Sequence, residues 1–95
     1  MFIVLLKFSE KKDQAGQFME GHNQWVQSGF NDGVFLLIGS LQPTLGGVIV
    51  ANNLDLVDLQ NRVKKDPFVV EDVVSAEILE VTPAKVDQRL QFLLG

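Results

Sequence analysis

Hydrophobic residues follow two rhythms along this chain. "MFIVLLKF" (1–8) places Phe2, Val4, Leu6 and Phe8 on one side of an extended segment and Ile3 and Leu5 on the other. A run that is apolar on both faces suits a central strand covered on both sides. After polar residues 9–13, apolar positions recur at 15, 18, 19, 25 and 26, with His22 standing in the same stripe. That spacing predicts a helix over 14–28, capped at its C-terminal end by Gly29. "NDG" (31–33) signals a turn, and Val34–Leu41 reads as a second strand, again apolar on both faces. "QPTLGG" (42–47) is a connection, and residues 47–51 form a short third strand.

The rhythm then returns to helical. Asn52 and Asn53 can cap a second helix over 54–65, with Asp55 and Asp58 near its start and Arg62, Lys64 and Lys65 near its end. This polarity complements the helix dipole. Leu56, Leu59 and Val63 make its inward stripe, and "DPF" (66–68) stops it. Residues 74–81 alternate as a fourth strand ended by Pro83, and the tail carries Val86, Leu90, Leu93 and Leu94 at near-helical spacing.

The order β-α-β-β-α-β plus a tail predicts an α+β, ferredoxin-like sandwich: a four-stranded antiparallel sheet with two helices on one face and a C-terminal helical tail. The 95 residues make one domain, with a core over 1–82 and the tail over 83–95. Two helices cover one face of the sheet, yet strands one and two are apolar on both. A short tail covers only part of the second face, and so large an exposed patch is unusual for a monomer. The expectation is a two-fold homodimer, packed sheet to sheet or edge to edge.

Composition narrows the partners. A net charge of −4 without a basic cluster disfavours nucleic acid. The absence of cysteine removes disulfides, thiolate chemistry and cysteine-held metals, and fits a reducing cytoplasm. The apolar start lacks the basic residues and cleavage site of a signal peptide, and no stretch approaches the roughly 20 apolar residues of a membrane span. The chain therefore reads as a soluble cytoplasmic protein. No phosphate loop, dinucleotide fingerprint or nucleophile elbow is present, and no metal or cofactor is expected.

His22, the only histidine, is the first candidate for chemistry. Imidazole acts as acid or base around neutrality, but a histidine on an apolar stripe can equally be a packed residue satisfied by one hydrogen bond. Asp66 precedes a proline, where an aspartate commonly caps local backbone. Its other reading depends on His22: a carboxylate on one ring nitrogen fixes the tautomer and orients the ring. Gly39 and Ser40 interrupt an apolar strand. They allow close approach of a ligand and a hydroxyl donor to it, or simply a bulge with a satisfied serine. Trp25 and the phenylalanines, Phe68 among them, are core residues or walls of an apolar pocket for a small molecule.

Taken together, "FIVLLKF", "HNQWVQSG", "VFLLIGSLQP" and above all "KKDPFVVEDVV" resemble the YciI (YCII-related) family of small α+β proteins. The resemblance runs from Met1 to about Val81 and rests on the order and spacing of these short motifs. It implies a subunit of the dimeric α+β barrel type and an active site centred on a histidine–aspartate pair, here His22 and Asp66. Ser40 falls where the family has a small or polar residue near the pocket. Some relatives act on small phenolic compounds, as in dehydrochlorination, and the wider superfamily includes lactone isomerases. Many members carry an arginine one turn before the histidine; here Met19 stands at that position. Two functions are carried forward. One is a cofactor-independent enzyme, a lyase, dehydrochlorinase or isomerase, that moves a proton on a small cyclic or phenolic substrate. The other is a non-catalytic ligand-binding or regulatory module on the same fold.

Overall fold

The two-sided first strand sits where its pattern requires, inside the sheet. In the computed structural model, which describes residues 1–95, β1 (Phe2–Phe8) is flanked by β3 (Gly46–Ala51) and β4 (Val74–Glu80), with β2 (Phe35–Leu41) outside β3. The order β2-β3-β1-β4 is antiparallel at every pair, so β1 and β2 run in one direction with β3 inserted between them. This is the split βαβ arrangement of a ferredoxin-like α+β fold.

Register decides what each face holds. Val4 lies opposite Ile49 and Ile78, and Phe2 opposite Ala51, all turned towards the helices. Ile3 lies opposite Val50 and Leu79, and Leu5 opposite Val48, on the outer face. The core fills the inner side: Val4, Ile49, Leu59 and Val73 are completely enclosed. Outer-face positions are half-buried or exposed, Leu37 and Leu79 among the latter.

Helix α1 (Ala15–Asn31), entered through a 3-10 turn at Lys12–Gln14, runs beyond the predicted cap at Gly29. Gly29 is instead an approach point. A Cβ there would lie 2.0 Å from Cδ2 of Phe35, so only glycine lets the helix rest on that ring. The chain turns at Gly33, in the left-handed region at φ 73°.

Helix α2 (Leu56–Val63) is shorter than the expected 54–65 but spans its inward stripe, and its cap is Asp55, whose carboxylate accepts from the Asp58 amide at 2.8 Å. The asparagines before it do other work: Asn53, at φ 66°, donates from Nδ2 to the Gly33 carbonyl and ties the two connections together. "DPF" does more than stop a helix. It starts α3 (Pro67–Val70), with Asp66 as its N-cap and Pro67 in its first turn.

The helical tail ends in a kinked 3-10 segment, Gln88–Leu94. Asp87 caps it by accepting from the Arg89 amide, and the Arg89 side chain beside it, followed by that amide, holds the Asp87 carboxyl below the usual carboxylate range. With Leu37 and Val50 of the outer face, the tail bounds a concavity of about 900 Å³, the largest in the molecule. No helix is long and apolar enough to cross a membrane.

Candidate functional site

Two local features bring His22 and Asp66 together. The apolar stripe of α1 turns residue 22 inward, so His22 is 9% exposed among its packed neighbours. The proline at 67 holds Asp66 extended, at φ −60° and ψ 123°, and its side chain folds back over the first turn of α3. Gly21 makes room for the approach: a Cβ there would stand 3.1 Å from Cγ of Pro67.

The contact is a hydrogen bond of 2.8 Å between His22 Nδ1 and Asp66 Oδ1, across 44 residues of sequence. The same Oδ1 accepts from the Phe68 amide at 3.0 Å. Asp66 is fully buried, and its second oxygen, Oδ2, has no partner. An ionised carboxylate only accepts, so Nδ1 carries the hydrogen. In a neutral ring the free lone pair is then on Nε2.

Aromatic packing fixes the plane of the imidazole. The Phe68 ring stacks on it with centroids 4.0 Å apart and planes 6° from parallel. Trp25 lies on its flank, 6.0 Å away. The exposed remainder of the His22 side chain, 11%, borders a cavity of about 340 Å³ between α1, α3 and the ends of β1, β2 and β3. Ser40, Gly39 and Phe68 border it too, so four of the residues singled out from sequence, His22 among them, line one space. Leu6, Phe8, Met19, Ile38 and Val74 complete its apolar walls.

Trp25 does not line this cavity. Its indole N–H donates to the Arg62 carbonyl at 2.9 Å and its ring meets Phe35 edge-on, so it ties α1 to α2 and faces a separate polar cleft. A tryptophan on a helix stripe gives no sign of which carbonyl its N–H will find. Asn23 at the cavity mouth, and the glycines 46 and 47 on its floor, were not singled out from sequence. Gly21 had one available sign: a glycine in mid-helix costs about 1 kcal/mol against alanine and calls for a packing reason.

Asp66 is the only acid bonded to His22, and nowhere do three or more His, Cys, Asp or Glu side chains gather as a metal site would need. What the arrangement offers chemically is a positioned imidazole with one nitrogen tethered and the other free, at the edge of a small and mostly apolar space. Comparison with protein-family models and with curated proteins gives no match for this chain.

Proposed function

We propose that this protein is a small-molecule enzyme of the YciI-like kind, in which His22 is the general acid–base and Asp66 its positioning partner. One observation carries the reading. The Nδ1–Oδ1 bond of 2.8 Å commits one ring nitrogen to a buried carboxylate and leaves the other as the free base beside a cavity.

In the proposed reaction Nε2 takes a proton from a substrate carbon or hydroxyl. The electron pair left behind moves into an adjacent double bond or carbonyl. In an elimination it expels a leaving group as its anion; in an isomerisation the proton returns from Nε2 to a different carbon. The imidazolium formed on the way faces the Asp66 carboxylate, which stabilises it without taking its proton. Ser40 supplies a hydroxyl at the cavity edge for a substrate oxygen. The chain is further proposed to act as a homodimer built on the outer face of its sheet.

A screen of small cyclic and phenolic compounds for elimination and isomerisation, run on wild type and His22→Ala together, tests the reading. General acid–base catalysis contributes about 10²–10⁴-fold, so the variant loses turnover by that order. Equal turnover by His22→Ala on every substrate found ends the proposal.

A further inference from the structure

The space beside His22 has a definite electrostatic character. Its only ionisable side chain is His22 itself, and no lysine or arginine lines it. Lys12 sits 5.4 Å from the centroid of the Phe8 ring and is not a lining group. Behind His22 stands the fully buried Asp66 carboxylate, compensated at Oδ1 alone, with Oδ2 unpartnered. Beside a neutral His22 the charge at the back of the cavity is thus negative, and no lysine or arginine in its walls balances a second negative charge.

The shape is equally selective. Gly47, paired with Ser40 in the ladder, leaves the floor without a side chain there, and Phe68 and Phe8 stand as aromatic walls. About 340 Å³ bounded in this way suits one flat ring. Polar recognition comes from the His22 Nε2 lone pair, which needs a donor, and from the Ser40 hydroxyl and the Asn23 amide, each of which serves as donor or acceptor.

We infer that this site takes an uncharged, ring-sized molecule bearing a hydrogen-bond donor, and discriminates against carboxylates and other anions of the same shape. The inference rests on the His22–Asp66 site proposed above and adds the charge class of its ligand. An anion brought here is stripped of water next to a buried carboxylate, with no lysine or arginine in the walls to receive it. A donor-bearing neutral ring loses little solvation and gains the bond to Nε2.

Benzamide and benzoate test this directly, since they share shape and size and differ in charge. Titration of each into wild type, followed by amide and imidazole NMR signals, is expected to shift Ser40, Gly47 and His22 with benzamide. Two like charges about 6–8 Å apart at a half-open site set the expected preference at roughly tenfold in Kd or more. Ser40→Lys, at an exposed position near the end of an edge strand, supplies the missing cation and is expected to bring benzoate level with benzamide or ahead of it. Benzoate binding wild type as tightly as benzamide, or neither compound giving a saturable shift at these residues, overturns the inference. The two proposals fail separately. Undiminished turnover in His22→Ala removes the acid–base role and leaves the wild-type preference for benzamide standing, whereas loss of that preference leaves the turnover comparison intact.

Discussion

A single oxygen, Oδ1 of Asp66, serves two bonds: one holds the His22 ring and the other caps α3. Removing it is therefore a compound loss. Asp66→Ala gives up an N-cap, worth about 0.5–2 kcal/mol, and strands a buried ring N–H, worth about 1–3 kcal/mol. Denaturant unfolding is expected to show a total near 2–4 kcal/mol. Asp66→Asn keeps an accepting oxygen in the same place and should unfold much closer to wild type. A loss of under about 0.5 kcal/mol in the alanine variant would mean that neither bond stabilises the fold. The imidazole gives a second reading: in its neutral form the ¹⁵N spectrum should show Nδ1 protonated and Nε2 bare, with the two tautomers mixing in Asp66→Ala. At this scale the sequence was informative about identity and not about contact. The inward histidine and the aspartate before proline were both legible, because one depends on helix period and the other on turn chemistry. Their meeting across 44 residues depends on how α1 and α3 pack, which no local pattern encodes.

Glycines set how closely the helices sit. Gly29→Ala puts a methyl into the Phe35 ring, and overpacking of this kind costs about 1–3 kcal/mol. A melting temperature lowered by several degrees, at roughly 4–8 °C per kcal/mol for a domain of this size, checks it. An unchanged melt would show that α1 can lift off β2 freely. The same residue explains why the end of α1 was misplaced from sequence: a glycine after a periodic stretch usually marks a helix end, and here it marks a contact with another element. The start of α2 was misplaced for a related reason. Asn53 and Asp55 are both acceptable caps by type, and only the left-handed backbone of Asn53, tied to Gly33, decides between them. The strands were easier to read, since their two-sided hydrophobicity is a property of the sheet's layers rather than of any one neighbour.

Across the whole molecule, the apolar outer face is what the fold leaves unfinished. Leu37 is 50% exposed and Leu79 40%, while the tail adds Phe92 at 53%. Patches of this kind mark interfaces more often than bare surface. If the proposed dimer forms there, wild type sediments as a dimer at micromolar concentration, and a charge at each of two outer-face positions, Leu37→Lys with Leu79→Lys, shifts it to monomer without unfolding it. Sedimentation of wild type as a stable monomer would end the dimer proposal and leave the His22 site to be judged on one chain.

The shared oxygen has one more consequence, in time rather than in space. A swing of the Asp66 side chain breaks both bonds in one event, baring the Phe68 amide as it frees the imidazole. The exchange of that one amide with deuterated solvent therefore sets an upper limit on how often the imidazole is untethered. A backbone proton thus becomes a clock for a side chain, readable with no substrate known.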